Sequence, residues 1–205
     1  MKKAVYLLLV LFVFNVLAKA QNTMLLVNGK KIEINEYKIG KKENKFLLYK
    51  NRKGKTKTIN KQDIFSIKKQ NGKETIFYVP DTSDTSAFSI EQMRNYVEGA
   101  YDARTNYKTP WINTAGILIG GGSAALSSAG MSVLLVPILP IGYSSVIGNI
   151  KLKKEKIKLP DNFKNNEYYT TGYLSSIKRK RTNHAILSSL IGVAAGISGV
   201  ILLTK

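Results

Sequence analysis

The feature that most constrains this chain is a run of 40 residues, 111–150, that contains no aspartate, glutamate, lysine, arginine or histidine. A second uncharged run of 20 residues spans 185–204. Because a bilayer core takes about 20 apolar residues as a helix, the first run could cross a membrane twice and the second once. The pattern excludes an ordinary soluble globule and predicts membrane-embedded helices.

Residues 1–20 have the pattern of an export signal. Two lysines precede an apolar stretch, and Ala18-Lys19-Ala20 supplies the small residues of an A-x-A cleavage site. The apolar stretch is short for a bilayer crossing, which favours a cleaved signal over an uncleaved anchor. We therefore expect an exported protein of the cell envelope, and its helical spans favour the inner membrane.

The residue types present exclude several kinds of chemistry. There is no cysteine, so disulfides, thiolate metal sites and cysteine nucleophiles are impossible, and the single histidine, His184, cannot form a multi-histidine metal site. Glu98 and Asp102 lie four apart and could hold a cation, although such a pair is usually a solvated helix face. We expect no catalytic residue, no metal site and no cofactor, and hence a protein that is not an enzyme.

The formal net charge of +19 raises the question of nucleic acid. The cations are 27 lysines and 5 arginines, they are scattered, and no nucleic-acid motif accompanies them. Phosphate and base recognition tends to use arginine, so we expect no nucleic-acid partner. Anionic lipid headgroups, acidic polysaccharide or simple solubility explain the charge better.

Residues 22–80 read as a small β module. Asn28-Gly29 and Asn71-Gly72 lie between apolar stretches and predict hairpins, with both turn residues at the positive φ of a type I′ turn. Five or six short strands are expected, and Tyr37–Gly40 continues after Lys30–Ile34. Such a set suggests a strongly bent antiparallel sheet, SH3-like or Sm-like.

Three strings carry a resemblance to a family. They are residues 26–32 (LVNGKKI), residues 61–67 (KQDIFSI) and residues 71–73 (NGK). They resemble a module of exported Bacteroidota envelope proteins, in which it follows a signal peptide and precedes glycine-rich hydrophobic segments. The resemblance implies the compartment and the fold, and it carries over no catalytic residue.

Residues 81–110 predict a linker and an amphipathic helix. Ser89 and Gln92 fit a capping box, and the helix should run from about 89 to 107 and end before Pro110. Because tyrosine and tryptophan favour the edge of a bilayer, an interfacial belt is expected. Its members would be Tyr101, Tyr107 and Trp111.

Small residues recur in both hydrophobic segments and predict close helix packing. The predicted packing residues are Gly116, Gly120, Ala124, Ser128, Gly192 and Gly196. Within 111–150 a helical hairpin is expected, with a turn near Gly130 and interruptions at Pro137 and Pro140.

Residues 151–184 predict a basic connector with an amphipathic helix, followed by a C-terminal hydrophobic helix over 185–204. A faint internal repeat relates the sequences around Gly99 and Gly172 at an offset of 73. Several residues of the connector should lie at the membrane surface. They are Lys178, Arg179, Lys180, Arg181 and His184.

The topology is in conflict. An exported β module followed by two crossings leaves the basic connector outside, whereas the positive-inside rule favours the cytoplasm. Either 111–150 crosses twice as a tight hairpin, which we favour, or it crosses once with a re-entrant second half.

The sequence as a whole predicts an α+β membrane protein, with a small β module, an amphipathic helix and a glycine-rich helical cluster. Its expected partners are the lipid bilayer and a protein, or a second copy bound through the glycine-rich helices. The expected function is a membrane anchor whose periplasmic β module binds or scaffolds a partner. A small-oligomer channel or transport accessory built on the glycine ladders is the alternative.

Overall fold

A computed structural model of the chain describes residues 21–40, 45–81, 83, 86–152 and 159–203. The predicted signal, residues 1–20, lies outside the described residues. The chain divides into two compact units. Within the described residues, the sheet unit comprises 21–27 and 31–87, and the helical unit comprises 28–30 and 88–203. The α+β class is confirmed.

The sheet unit contains one six-stranded antiparallel sheet. The strands are β1 (Asn22–Leu26), β2 (Lys31–Ile39), β3 (Phe46–Asn51), β4 (Thr56–Asn60), β5 (Ile64–Lys68) and β6 (Glu74–Ile76). Their order in the sheet is β4-β3-β2-β1-β5-β6, so β1 pairs with both β2 and β5. A one-turn 3-10 helix, Lys61–Asp63, separates β4 from β5.

β2 is one continuous strand of 9 residues. Its register with β3 shifts between Ile34 and Glu36, which is a β-bulge. The extra residue lets Ile34 and Tyr37, three apart, both contribute to one core.

The predicted hairpin turns exist, but they are not type I′. Among the described residues only glycines have positive φ, including Gly29 at 77° and Gly72 at 82°. The preceding Asn28 and Asn71 instead accept hydrogen bonds on Oδ1 from the backbone N–H two residues later, at 3.0 and 3.1 Å. The asparagine side chain therefore closes each turn without adopting positive φ itself.

The sheet buries a conventional apolar core. Large side chains from four strands form it, and partly buried residues such as Tyr37 and Phe77 pack against it. Its buried members are Met24, Leu26, Ile34, Leu47, Tyr49, Ile64 and Ile67.

The helical unit contains four helices: α1 (Ile90–Asn106), α2 (Pro110–Ser128), α3 (Leu135–Asn149) and α4 (Glu167–Leu203). The predicted capping box of α1 is confirmed, because Ser89 Oγ accepts from the Gln92 N–H at 3.2 Å and Gln92 Oε1 accepts from the Ser89 N–H at 2.8 Å. Gly130 has φ of 90° in the turn between α2 and α3.

Two expected breaks in the helices do not occur. α3 continues through Pro140, and Pro137 lies in its first turn, where no intrahelical partner for an N–H exists. α4 runs for 37 residues, so the predicted boundary between residues 184 and 185 marks a change of composition within one helix.

α1 and α2 both run parallel to α4. A methyl group added to Gly99 would collide with the Tyr169 carbonyl, and one added to Gly172 would collide with the Tyr96 carbonyl. Tyr96 and Gly99 are the repeat equivalents of Tyr169 and Gly172, at the offset of 73. The two copies of the repeat thus lie side by side and exchange equivalent contacts.

An offset of 72, close to the 73 of the repeat, continues into the apolar helices. Gly116 lies against Ser188, and Gly196 lies against Ala124, each pair 72 residues apart. α3 is antiparallel to α4, because Gly148 faces Thr182 whereas the earlier Ser144 lies across a groove from the later Ser189. α2, α3 and the C-terminal half of α4 therefore form a three-helix bundle.

We predict that Gly120→Ala destabilises the protein by about 1–3 kcal/mol, because the added methyl would overlap the Ser189 carbonyl oxygen and the Val193 nitrogen. The matched control is Gly122→Ala in the same helix, where nothing lies within 4 Å. It should leave stability unchanged or raise it by up to about 1 kcal/mol, since alanine favours the helix. Thermal unfolding followed by circular dichroism measures both, and equal effects would contradict the proposed helix contact.

Candidate functional site

Polar and charged side chains concentrate where α1 gives way to α2. We call this region the helix junction and define it by Arg104, Tyr107, Thr109, Asn113 and the segment of α4 from Lys180 to His184. The parallel alignment of the helices sets these residues at one level, since Tyr107 and Lys180 are 73 residues apart and in contact.

Lys180 binds the C-terminal end of α1. Its ammonium group donates to the Arg104 carbonyl at 2.6 Å and to the Tyr107 carbonyl at 2.5 Å. These carbonyls have no partner within the helix and carry the negative end of its dipole, so a cation there stabilises α1. Burial, and then the charge of Arg104, lower the pKa of Lys180.

Arg181 binds the end of α3. The residue is only 3% exposed, and its Nη1 donates to the Ile150 carbonyl at 3.3 Å. Its Nε is buried without a hydrogen-bond partner in the part of the chain that the structure describes. Arg181 is therefore buried between α3 and α4, and its predicted position at a membrane surface stays a prediction.

Arg104 and His184 complete the junction. Arg104 Nε donates to the Asn28 carbonyl at 2.9 Å, and burial, followed by the charge of Arg179, lowers the pKa of Arg104. His184 Nδ1 lies 2.8 Å from Thr109 Oγ1 and 3.1 Å from Asn113 Oδ1. The histidine thus links α4 to the first turn of α2 and to the residue that precedes that helix.

The helix junction concentrates positively charged side chains beside the ends of two helices. The sequence has no aspartate or glutamate in 103–152 or 168–205, so no acidic side chain from either segment neutralises these cations. Within the described residues no group of three or more potential metal ligands occurs. What the arrangement offers is concentrated positive charge and helix ends held together by hydrogen bonds.

The carboxylate pair on α1 does not form an open cation site. Asp102 Oδ2 accepts a 2.6 Å hydrogen bond from the Tyr169 hydroxyl, and the Tyr169 ring stacks on Phe163 with centroids 4.3 Å apart. Burial, then the hydrogen bond and the charge of Asp102, raise the pKa of Tyr169 strongly. Asp102 is therefore part of the contact between α1 and α4.

The predicted packing residues fall at the contact between α2 and α4, with one exception. Gly116, Gly120 and Ala124 face α4, whereas Ser128 is exposed and its hydroxyl donates to the Ala125 carbonyl. Each four-residue step advances about 40° beyond a full turn, so three steps rotate Ser128 about 120° away from the contact. On α4, Gly192 and Gly196 lie against the backbone of α2.

The other predicted interface residues differ in exposure. Trp111 is 53% exposed, and Lys178 and Arg179 are exposed as well. Tyr101 and Tyr107 are half-buried.

The sheet unit has a separate groove of about 370 Å³ on β2 and β3. Tyr37, Leu48 and Thr56 contribute to its lining, and Lys50 Nζ forms an ion pair with Glu36 Oε1 at 2.5 Å. The ion pair lowers the pKa of the exposed Glu36 carboxyl, through the hydrogen bond first and the lysine charge second.

No protein family, curated protein or solved structure matches the chain. The candidate sites therefore depend on geometry alone. Sequence reasoning missed Thr109, Asn113 and the Asp102–Tyr169 bond. The signal that could have found Thr109 and Asn113 is the offset of 73. If the two repeats pack side by side in parallel, this offset places His184 beside Trp111, and therefore close to both residues.

We predict that Tyr169→Phe lowers stability by about 1.5–3 kcal/mol at neutral pH, because Asp102 loses a charged hydrogen bond. The unfolded tyrosine loses its proton near pH 10.0, whereas the folded one retains it, so the wild type should lose stability as pH rises above that value. Tyr169→Phe should show a shallower loss between pH 9 and 11 in chemical unfolding. Equal pH dependence in the two proteins would contradict this role.

Proposed function

We propose that the chain is a non-enzymatic membrane-anchored protein of the cell envelope, with a periplasmic β module that binds a partner. The observation that carries the proposal is the inverted packing of the helical bundle. In α2 the buried positions are Ile112, Gly116, Gly120, Ser123 and Ala124. Mostly small residues therefore face the protein interior.

The large apolar side chains of the bundle point outward. Leu118 is 69% exposed and Ile191 is 61% exposed, and many others on α2, α3 and α4 resemble them. The sheet of the same chain does the opposite and buries its large residues. Such an outward apolar surface is unfavourable in water and favourable in lipid, where small residues let helices approach closely.

The lengths of the helices are consistent with a bilayer. The part of α4 from Glu167 to Leu202 is long and apolar enough to cross a membrane, with a mean hydropathy of 2.2 in its most apolar window. α2 has 19 residues and α3 has 15, which correspond to about 28 and 22 Å against a core of about 30 Å. The shorter α3 would be helped by the apolar turn that precedes it.

The directions of the helices favour the hairpin topology. Because α2 and α4 are parallel and α3 is antiparallel, α1, residues 150–152 and the start of α4 all lie at the same end of the bundle. In the proposed arrangement this end, with the β module, is periplasmic, and the C-terminal end of α4 is cytoplasmic. At this end of the bundle Lys180 binds the end of α1 and Arg181 binds the end of α3. This structural role would account for their position in the periplasm, although the positive-inside rule favours the cytoplasm.

The β module supplies the proposed partner site. The return of β5 to pair with β1 supports an SH3-like or Sm-like sheet, extended by β6. β4 and β6 are its edge strands, and an extended peptide could add to such an edge or lie in the groove on β2 and β3.

The channel alternative has weaker support. Gly116, Gly120, Gly192 and Gly196 are all used between α2 and α4 of one chain, so they are not available to join copies.

The topology can be tested with single cysteines, because the chain has none of its own. A cysteine at Lys53 in the β3–β4 turn and one at Lys164 ahead of α4 should react with a membrane-impermeant maleimide in intact spheroplasts. A cysteine added after Lys205 should react only after lysis. Protection of Lys164→Cys would overturn the hairpin, and recovery of the protein in a salt-washed soluble fraction would overturn the membrane anchor.

A further inference from the structure

The basic residues at the periplasmic end of the bundle divide into two groups with different surroundings. Lys180 and Arg181 turn inward and donate to the ends of α1 and α3. Lys178 and Arg179, two residues earlier on the same helix, are exposed. Runs of consecutive lysine and arginine are usually treated as one feature, but here only half of the run faces solvent.

Two further exposed lysines lie at the same level. Lys108 follows Tyr107, whose carbonyl binds Lys180, and Lys151 follows Ile150, whose carbonyl binds Arg181. We call Lys108, Lys151, Lys178 and Arg179 the cationic collar. Its members come from the ends of α1 and α3 and from the middle of α4.

The collar lies where the apolar surface begins. α2 starts at Pro110, two residues after Lys108, and the uncharged part of α4 starts at Ala185. Ile112 and Ala185 lie in one buried cluster, so both apolar segments begin at one level. If the bundle crosses a bilayer, the collar is at the depth of the lipid phosphates.

We infer that the collar binds the phosphates of anionic phospholipids and that this is a surface separate from the partner site on the β module. The inference rests on the proposed membrane anchor. Charge complementarity supports anionic lipid as the occupant. All four cations lie in residues 103–152 and 168–205, and neither segment contains an aspartate or a glutamate. Their flexible stems allow the charged groups to reach phosphates while apolar carbons stay near the acyl region.

The single tryptophan is a natural probe for this site. Trp111 is exposed and lies three residues after Lys108. The full-length protein is purified and reconstituted in phosphatidylcholine vesicles that contain a fraction of phosphatidylglycerol. One lipid at a time carries bromine near the glycerol end of its chains, and quenching of Trp111 reports which lipid occupies the surrounding shell.

The wild type should be quenched more by brominated phosphatidylglycerol than by brominated phosphatidylcholine at equal mole fraction. Lys178→Gln with Arg179→Gln should reduce this preference by about fivefold per charge removed. High salt should reduce it in the wild type, because the collar is solvent-exposed. The matched control is Lys180→Gln, two residues from Lys178, which should lower stability and leave the lipid preference intact.

Retention of the full preference in Lys178→Gln/Arg179→Gln would overturn the inference, as would absence of a preference in the wild type. A loss of about fivefold in Lys180→Gln, equal to the loss per charge in the double variant, would also overturn it, because the preference would then follow net charge and not the exposed collar. Failure of the wild type to insert into either vesicle would instead overturn the membrane anchor itself.

Discussion

The helical unit depends on the close approach of two backbones at glycine. Gly99 and Gly172 let α1 and α4 touch, and Gly120 and Gly192 do the same for α2 and α4. In each case a single methyl group would overlap backbone atoms of the other helix. Because the contacts keep an offset close to 73 residues along both helices, they fix which residues face one another at every level.

The helix junction is a consequence of that alignment. α1 ends and α2 begins at residues 107–110, whereas α4 continues without a break. The free carbonyls at the end of α1 therefore face an intact helix, and Lys180 supplies the donors that they lack. Arg181 does the same for the end of α3, which reaches this level because α3 returns antiparallel. The positive charges of Lys180 and Arg181 thus serve the structure, because they bind the carbonyl ends of α1 and α3.

Sequence patterns predict the elements better than the contacts between them. The capping box at Ser89 and the glycine-rich hairpin turns are local signals, and both are found. The bulge in β2 disturbs the alternation that strand prediction depends on, and the continuity of α4 is hidden because its polar and apolar halves differ in composition. Ser128 shows the limit of a spacing rule, since a four-residue ladder drifts around a straight helix.

The candidate site was predicted only in part, for a physical reason. Lysine, arginine and histidine beside an apolar run suggest a membrane surface whatever their orientation, and the sequence does not reveal which of them turn inward. That depends on where the carbonyl ends of α1 and α3 lie, which is a property of the assembled bundle. Tyr169 is similar, because its partner Asp102 lies 67 residues away on another helix.

We propose that the bundle turns its large apolar residues toward lipid and its small ones toward protein. Spin labels at Leu118→Cys and Ile191→Cys in the reconstituted protein test it directly, with Lys53→Cys as a water-exposed control. Both helix positions should be accessible to oxygen and inaccessible to a water-soluble nickel chelate, and Lys53→Cys should show the reverse. Accessibility of Leu118→Cys or Ile191→Cys to the nickel chelate would contradict the proposal. So would inaccessibility of both positions to oxygen as well as to nickel.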